Sequence, residues 1–317
     1  MKIELSEAVK CLLENDKIVI LTHDHPDGDT LGCAFALQRA LLKKGKKVKT
    51  VCNDIIPDKF SYMFDDISND DFSDEKYIVS VDVANSQLLG KDVKEKYCGR
   101  INLAIDHHAL TKIESEKLYV DVSAAAACEI IYDIIERMDV DIDEKMASCL
   151  YTGLCTDTGC FRYNNTTAKT HLMASKLIDL GADYFEINTV MFEIKTKTYL
   201  KLESLVMDTL EMHFDDRCVI VNISQDMYEK SGSNESETDP IAAKTRQIEG
   251  VLVGATIREK KDGTYKVSIR TNGELDASAI CEALGGGGHS KAAGCQIEGT
   301  LEEAKEKLLG VIGSFLL

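Results

Sequence analysis

Four short segments in the first half of the chain combine carboxylate and imidazole side chains, and each follows an apolar run. They are residues 22–29, 81–82, 106–108 and 156–159. Carboxylate oxygens and imidazole nitrogens are ligands that divalent cations such as Mn²⁺ accept. A pair of such cations can activate water for attack on phosphorus. The residue types and their order therefore predict a two-metal phosphoesterase site.

The first segment supplies three candidate ligands after a predicted strand at residues 18–21. Ligands of open α/β sheets gather at the carboxyl ends of strands, so His23, Asp27 and Asp29 are expected to face one crevice. Gly28 is expected to relieve the backbone between them. From this segment alone an alternative stays open, in which Asp29 or the residue after it caps a helix and His23 is a solvated loop residue.

The other three segments differ in how strongly each one indicates a site. A single acidic residue after a strand, such as Asp82, is more often a cap than a ligand. Asp106, His107 and His108 are harder to explain by packing, because consecutive buried polar groups need partners. Asp157 alone is compatible with an ordinary turn. Together, the four segments favour a metal centre over four separate turns.

Elements that could position these residues follow from the hydrophobic pattern. Short runs rich in Val and Ile predict buried strands at residues 17–21, 47–52, 77–81 and 101–105. A helical pattern at residues 29–44 lies between the first two. Such alternation predicts βαβ units and a parallel sheet with helices on both faces. Helices are then predicted at residues 129–138, 143–156 and 167–180.

The pattern changes in the second half of the chain. Predicted strands lie at residues 217–223, 251–258 and 264–270, with a helix at 277–284 and an exposed polar loop at 231–239. The Asp-Gly pair at residues 262–263 predicts a hairpin between the second and third of these strands. The fold class is therefore α/β in two domains. We predict a parallel-sheet metal-binding catalytic domain (residues 1–182), a helical connector (183–212) and a smaller α/β substrate-binding domain (213–317).

Composition restricts the class of protein. The chain has 37 basic and 54 acidic residues, a net charge of −17, which disfavours binding to long nucleic-acid duplexes but allows small phosphorylated substrates. No apolar run is long enough for a membrane span, and the N-terminus does not resemble a signal peptide. The eleven cysteines include no Cys-x-x-Cys pair, so reduced thiols in a cytoplasm are expected.

The ordered motifs resemble those of the DHH family of phosphoesterases. The family pattern is His-x-x-x-Asp-x-Asp (residues 23–29), an isolated Asp after a strand (Asp82), Asp-His-His (106–108) and Thr-Asp-Thr-Gly (156–159). Gly-Gly-Gly-Gly-His at residues 285–289 resembles the hallmark of the DHH-associated C-terminal domain. The resemblance covers nearly the whole chain. Length and layout are most similar to bifunctional oligoribonucleases that also dephosphorylate 3′-phosphoadenosine 5′-phosphate (pAp).

The resemblance implies a site with two divalent cations, manganese by preference. The implied ligands are His23, Asp27 and Asp82 for one cation, and Asp29, Asp82, His107 and Asp157 for the other. Asp82 would bridge the two. A hydroxide held between the cations would attack phosphorus in line.

Catalytic and substrate-contacting residues are also implied by the resemblance. The implied catalytic residues are Asp82, His108 and Asp106. His108 would contact the scissile phosphate or assist the leaving oxygen, and Asp106 would orient a histidine. Substrate would be held by Arg270, by the backbone N–H groups of Gly285, Gly286, Gly287 and Gly288, and by His289. A flexible loop is the alternative interpretation of the glycine run.

Several residues fall outside the family pattern. Leu88 stands where members often have Arg, and Thr111 stands where they often have Asn. Neither change removes a predicted ligand, so both concern substrate contacts. Asp24 and His25 are interpreted as loop residues, His171 and His213 as structural or surface histidines, and the cysteines as small buried hydrophobic residues.

The function implied by the resemblance is hydrolysis of RNAs a few nucleotides long to mononucleotides, and of pAp to AMP. A cleft between the two domains would accommodate only a few nucleotides and would exclude long duplexes. No membrane partner is expected, and a homodimer is possible. One alternative is a phosphodiesterase acting on cyclic di-AMP or its linear product pApA. Another is a catalytically silent nucleotide-binding regulator. A recombination-type exonuclease is disfavoured by the short chain and acidic charge, and a pyrophosphatase by the Gly-Gly-Gly-Gly-His motif.

Overall fold

The computed structural model describes residues 1–67 and 72–316, and the chain divides into two compact units, Met1–Ile194 and Lys195–Leu317. The division falls inside the segment predicted as a connector. Its residues are shared between the two units, which are described separately below.

The first unit is built on a five-stranded sheet in which all neighbouring strands are parallel. The strands are β1 (Ile18–Leu21), β2 (Val48–Val51), β3 (Tyr77–Val81), β4 (Leu103–Asp106) and β5 (Lys117–Val120). Their order is β2-β1-β3-β4-β5. The predicted parallel α/β fold is confirmed, although β5 was not predicted.

Helices cover both faces of this sheet. They are α1 (Leu5–Glu14), α2 (Gly28–Lys43), α3 (Lys91–Tyr97), α4 (Ala127–Arg137), α5 (Glu144–Asp157), α6 (Ala168–Asp179) and α7 (Tyr184–Asn188). Successive strand residues point to opposite faces. Ile18 and Ile20 therefore join the core formed with α1, α2, α4 and α5, whereas Val19 and Leu21 join the core formed with α3. Burial on both faces explains why these strands are continuously apolar.

The strand order locates the natural binding crevice of the first unit. In an order of 2-1-3-4-5, the crossovers change direction between β1 and β3, and ligands of such sheets bind beyond the carboxyl ends of the strands at that point. Three of the four segments with candidate ligands follow β1, β3 and β4. The fold thus brings them to one edge of the sheet.

The second unit contains a six-stranded mixed sheet. Its strands are β6 (Glu211–His213), β7 (Cys218–Ile223), β8 (Val253–Glu259), β9 (Tyr265–Thr271), β10 (Gly287–His289) and β11 (Ala292–Ile297), in the order β10-β11-β9-β8-β7-β6. Only β7 and β8 pair in parallel among these strands. The helices are α8 (Lys197–Met207), α9 (Gln225–Ser231), α10 (Asp239–Thr245), α11 (Ala277–Glu282) and α12 (Leu301–Leu316). The hairpin predicted at Asp262-Gly263 joins β8 to β9.

In the second unit, one local prediction and one alternative interpretation do not hold. Residues 231–239 are not an exposed loop, because Ser231 ends α9, Thr238 is buried, and Glu235 pairs with Arg258. The glycine run is also not a free loop. Its last residues form β10, which pairs with β11 opposite Gly294 and two alanines, so small side chains on both strands permit close pairing.

Within residues 1–67 and 72–316, no helix is both long and apolar enough to cross a membrane.

Candidate metal centre

The predicted ligands of the first unit converge at the carboxyl ends of adjacent central strands. His23 and Asp27 lie in the loop after β1, Asp82 directly follows β3, and His107 directly follows β4. Parallel neighbours end at the same edge, so these residues meet without any long loop. Asp157, the last residue of α5, joins them because α5 packs against α2 in the same core.

The six candidate ligands form a continuous set with Asp82 at its centre. The Nε2 atom of His23 lies 3.5 Å from Oδ1 of Asp27 and 3.9 Å from Oδ2 of Asp82. The Nε2 atom of His107 lies 3.6 Å from Oδ1 of Asp82, 3.4 Å from Oδ2 of Asp157 and 4.0 Å from Oδ2 of Asp29. The two oxygens of Asp82 thus face different histidines, as a bridging carboxylate requires.

Hydrogen bonds on the other ring nitrogen fix how both histidines face the centre. His23 Nδ1 lies 2.8 Å from the carbonyl oxygen of Asp24, and His107 Nδ1 lies 3.2 Å from that of Ala124. A carbonyl only accepts, so each Nδ1 carries a proton, and a neutral ring would present its Nε2 lone pair on the opposite side. That lone pair points toward carboxylate oxygens, which are also acceptors. A cation between them satisfies both.

The distances also fit shared coordination better than direct hydrogen bonding. Hydrogen bonds between nitrogen and oxygen are usually about 2.7–3.2 Å long, and the contacts of His23 and His107 with the carboxylates are 3.4–4.0 Å. Two ligands that each lie about 2.1 Å from one ion are roughly 3.0–3.5 Å apart. Small movements of these side chains would complete such a geometry.

The burial and charge of the carboxylates also favour a cation site. Asp29 and Asp82 have exposed fractions of 0% and 4%. Burial, together with the charge of Asp29, raises the pKa of Asp82 well above its usual range. Burial and the charges of neighbouring aspartates also raise the pKa of Asp157. Oδ1 of Asp82 has no hydrogen-bond partner among the described residues. Such a concentration of buried negative charge is stabilised when cations bind, so the residues present fit a divalent-metal centre.

Asp82 also has an uncommon backbone conformation. Its φ angle is 56°, in the left-handed region that only a small share of non-glycine residues adopts. Its N–H donates to the carbonyl of Ile105 at 2.9 Å, which ties it to β4. Strained conformations of this kind concentrate at functional sites, where the surrounding structure maintains them.

The loop between β1 and α2 holds two aspartates in different ways. The Asp27 side chain caps α2 by accepting from the N–H groups of Asp29 and Thr30 at 3.0 and 3.1 Å. The cap is therefore Asp27, not Asp29 or its neighbour. The expected role of Gly28 is also wrong, because its φ is not in the positive region where glycine relieves the backbone; instead, a Cβ at this position would lie 2.5 Å from Oγ1 of Thr156. Glycine is needed for the close approach of α5.

His108 belongs to a hydrogen-bonded chain beside the metal ligands, and its Nδ1 also lies 3.5 Å from Oδ1 of Asp82. Its Nδ1 lies 2.7 Å from Oδ1 of buried Asp106, and the hydroxyl of Thr111 donates to Oδ2 of Asp106. Burial would raise the pKa of Asp106, but the hydrogen bonds from His108 and Thr111 outweigh it and lower the pKa. The bond to Asp106 in turn raises the pKa of His108. His108 is half-exposed and able to meet a ligand.

Positioning groups outside the four motifs were not predicted from the sequence. The backbone N–H groups of Ala127 and Cys128, at the start of α4, donate to the two oxygens of Asp29 at 2.6 and 2.9 Å. The preceding Ala124 carbonyl accepts from His107. Asn165 donates to the carbonyl of Asp157. No sequence signal identifies the backbone groups of an alanine run as supports of a metal ligand. Asn165 lies eight residues after the predicted ligand Asp157, and this short spacing is the only signal in the sequence for its role.

The remaining predicted site residues lie in the second unit. Arg270 on β9 is opposite Ala292 on β11, which is opposite His289 on β10, so the three positions form one cross-strand row. Only the backbone of His289 lies within the described structure. The N–H groups of Gly285 and Gly286 donate to the carbonyls of Glu282 and Cys281. They terminate α11, so the predicted run of bare N–H groups is at most partly available.

Other residues named from the sequence lie near the centre or away from it. Leu88 is 41% exposed, and its carbonyl accepts from the N–H of Asp24 in the β1 loop. His25 is exposed and contacts Asp54. His171 lies on α6, and its ring stacks on the ring of Phe161 in the preceding loop.

Two family models match the chain. The DHH family, N-terminal domain, matches residues 17–154, and the DHHA1 domain matches residues 216–316. These matches correspond to the sheet that carries the cluster and to the mixed sheet of the second unit.

Alignments with similar proteins cover most of the chain. The bifunctional oligoribonuclease and PAP phosphatase NrnA of Thermus thermophilus is 32% identical over 93% of this chain and 89% of its own length. The cyclic-di-AMP phosphodiesterase PdeA of Listeria monocytogenes is 25% identical over 98% of this chain but only 50% of its own length. Among solved structures, an exopolyphosphatase-related protein from Bacteroides fragilis has a TM-score of 0.89 at 23% identity, covering 98% of this chain and 96% of its own. The last comparison establishes the shared fold.

Proposed function

The chain belongs to the DHH family of phosphoesterases, and from that premise we propose that it hydrolyses very short RNAs to mononucleotides and removes the 3′-phosphate of pAp. The observation that carries the proposal is the cluster around Asp82, in which two histidine Nε2 lone pairs face buried carboxylates. Mixed imidazole and carboxylate donors of this kind suit divalent cations such as Mn²⁺.

We propose that the centre holds two divalent cations, with Mn²⁺ as the preferred ion. His23, Asp27 and Asp82 would hold one, and Asp29, Asp82, His107 and Asp157 the other. The triplets His23–Asp27–Asp82 and Asp29–His107–Asp157 each place their donor atoms within 4.8 Å of one another, and Asp82 and His107 share a third such triplet with His108. When bound, the cations would supply an activated water and neutralise charge on the phosphoryl group.

The protein's own residues have distinct roles in this proposal. Backbone N–H groups at the start of α4 fix Asp29, and the carbonyls of Asp24 and Ala124 fix the two histidine rings. His108 presents a half-exposed imidazole whose Nδ1 is held by Asp106. When the ring is protonated, its Nε2 would donate a proton to a phosphate oxygen or to the leaving oxygen. We propose that Asp106 acts through His108.

The proposed substrate class is supported by the extent of similarity. The relative named as an oligoribonuclease and PAP phosphatase aligns with 89% of its own length, so no large domain of that relative lacks a counterpart here. The net charge of −17 is compatible with small anionic substrates drawn to bound cations and less so with long duplexes. We further propose that Arg270, His289 and the run Gly285–Gly288 contact the nucleotide.

One observation favours a second candidate function. The cyclic-di-AMP phosphodiesterase relative aligns with 98% of this chain, which makes cyclic di-AMP or pApA an alternative substrate. Because the alignment covers only 50% of that relative, the match is to part of a larger protein. A silent nucleotide-binding regulator is the weaker alternative, since every implied ligand is present.

A substrate panel tests the proposal directly. Purified full-length protein with Mn²⁺ is incubated with pAp, pApA, pGpG, cyclic di-AMP and a longer RNA, and products are separated by chromatography. We expect turnover of pAp and the linear dinucleotides, with slower cleavage of the longer RNA. Cyclic di-AMP as the best substrate would select the alternative. No hydrolysis of any compound would refute the proposed activity.

Asp82→Asn separates chemistry from folding. Asparagine tolerates positive φ better than alanine, so the variant keeps the backbone of Asp82 while removing its charge. We expect turnover to fall by more than about a hundredfold, the upper range for loss of support to a metal site, while the metal-free protein melts at the same or a higher temperature. Asp92→Asn, an equal charge change at an exposed position of α3, should leave turnover unchanged. A fully active Asp82→Asn would exclude the bridging role.

We also propose a cytoplasmic location, supported by the eleven cysteines, all of which are free thiols.

A further inference from the structure

Two buried cysteines lie directly behind one of the proposed metal ligands. Cys33 on α2 and Cys128 on α4 are both fully buried, and their Sγ atoms are 3.5 Å apart. The Sγ atom of Cys33 lies 3.7 Å from Oδ1 of Asp29. Asp29 and Cys33 are four residues apart on one face of α2, so the helix itself brings the carboxylate and thiol together.

Asp29 stands between this thiol pair and the cluster around Asp82. Its Oδ1 faces Cys33, whereas its Oδ2 lies 4.0 Å from Nε2 of His107. The thiols therefore approach one oxygen of a carboxylate whose other oxygen is turned to the proposed metal centre. Both cysteines are buried, as expected from the sequence, and Sγ of Cys128 also lies 3.6 Å from the backbone carbonyl oxygen of Asp29.

Two of the separations among these three donors are close to those of ligands around one tetrahedral ion. With metal–sulfur bonds of about 2.3 Å and metal–oxygen bonds of about 2.1 Å, tetrahedral angles place two sulfurs about 3.8 Å apart and a sulfur and an oxygen about 3.6 Å apart. The observed separations are 3.5 Å and 3.7 Å. All three donor atoms lie within 4.8 Å of one another.

A glycine on the neighbouring helix allows that helix to pack directly against these donors. A Cβ at Gly153 of α5 would lie 2.2 Å from Sγ of Cys128 and 2.6 Å from Oδ1 of Asp29. Any larger residue at this position would displace both donors. The φ angle of Gly153 is ordinary, so the close approach, and not backbone conformation, requires glycine here.

We propose that Cys33, Cys128 and Asp29 form a binding site for a soft or borderline divalent cation of the zinc class. Thiolate ligands select such ions over Mn²⁺ and Mg²⁺. Each thiol would release its proton to solvent when the cation binds, because the thiolate is the metal ligand. Because Asp29 is shared, occupation of this site opposes occupation of the proposed catalytic centre. This inhibitory role rests on the proposed function, whereas the binding site does not.

Cadmium is a suitable probe because its bonds to thiolates absorb in the near ultraviolet. Full-length protein is titrated with Cd²⁺, and the absorption is compared among wild type, Cys33→Ala, Cys128→Ala and the double variant. The matched control is Cys149→Ala, which removes an equally buried thiol on α5 whose Sγ faces the carbonyl of Met63. Melting curves establish that each variant folds, and Cys128→Ser replaces an alanine variant that does not.

Shared coordination predicts a specific pattern of losses. Each single variant should lose the same part of the absorption as the double variant, because one ion needs both sulfurs, and Cys149→Ala should match wild type. Losses that add in the double variant, or variants that titrate like wild type, would overturn the proposal.

A second measurement separates this inference from the proposed function. Cd²⁺ should inhibit Mn²⁺-supported hydrolysis in wild type at lower concentration than in Cys33→Ala or Cys128→Ala. If the protein hydrolyses no tested substrate but shows the shared thiolate band, the metal site is supported and the proposed function is refuted. If the protein is active but shows no such band, the proposed function is supported and the metal site is refuted.

Discussion

The side-chain amide of Asn165 donates to the backbone carbonyl of Asp157 at 3.1 Å, and also to that of Ala125 at 2.9 Å. Asn165 thereby joins the end of α5, which carries a proposed ligand, to the segment that leads into α4. That same segment accepts the ring N–H of His107 and donates to Asp29. One loop residue thus connects supports of three proposed ligands.

We expect Asn165→Asp to weaken cation binding. The substitution preserves side-chain shape but replaces the two donating hydrogens with an acceptor facing two carbonyls, so α5 and the α4 segment should separate. Loss of such supporting contacts typically costs about 10- to 100-fold in metal affinity. Mn²⁺ binding, followed by electron paramagnetic resonance of the free ion, measures the change. Asn164→Asp, an equal charge change at the exposed neighbouring residue, should bind like wild type, and equal affinity in both variants would refute this role of Asn165.

Thr111 offers a second test of positioning, directed at His108. Its hydroxyl donates to Asp106 and lies 2.8 Å from the carbonyl of His108. Thr111→Val keeps the shape but leaves the Asp106 oxygen without this donor, so we expect kcat to fall about 10-fold or more with little change in KM. Thr111→Ser restores the hydroxyl and should recover most of the activity. A serine variant as impaired as the valine variant would indicate a packing role instead.

The central ligands of the candidate site could be predicted from the sequence because they directly follow strands. The runs that became β1, β3 and β4 are continuously apolar, and parallel strands end at one edge. Local patterns therefore predicted that His23, Asp82 and His107 would meet. The fold class followed from the same alternation of strands and helices.

What escaped prediction depends on contacts between distant segments. β5 is short and half-buried throughout, so its residues lack a strong strand pattern, and it forms because β4 offers an edge. The pairing of Gly287–His289 with β11 depends on small residues across the hairpin. The supports from Ala124 and Asn165 are a backbone carbonyl and a loop amide, whose partners are set only by tertiary packing.

Stability of the first unit should depend on pH through Glu75. Its side chain is only 6% exposed and accepts from Lys96 at 2.9 Å and from Tyr97 at 3.1 Å, with Lys49 at 3.3 Å. Burial would raise the pKa of Glu75, but these hydrogen bonds outweigh it and lower the pKa. The folded state therefore favours the ionised form more than the unfolded state does. The resulting stabilisation is present above the unfolded pKa of about 4.3 and is lost as the pH falls toward the folded pKa.

Glu75→Gln should accordingly lower the free energy of unfolding by about 2 kcal/mol near pH 7. The difference from wild type should shrink as the pH falls below about 4. Urea unfolding at several pH values measures both quantities. Glu95→Gln, at an exposed position of α3, should be neutral throughout. A difference for Glu75→Gln that is constant with pH would show that lost packing, and not charge, is responsible.

Variants of two adjacent glycines in the second unit test folding and substrate contact separately. A Cβ at Gly286 would lie 2.2 Å from the carbonyl oxygen of Gly294, a backbone atom that cannot move aside cheaply, whereas a Cβ at Gly287 meets nothing within 4 Å. We expect Gly286→Ala to destabilise the β10–β11 hairpin by about 1–3 kcal/mol, the range for overpacking. Gly287→Ala should melt like wild type. If the run contacts the nucleotide, Gly287→Ala should still raise KM for pAp, because the added methyl group occupies open space beside the backbone. Unchanged KM in this stable variant would place the substrate away from Gly287, and a stable Gly286→Ala would contradict the close pairing with Gly294.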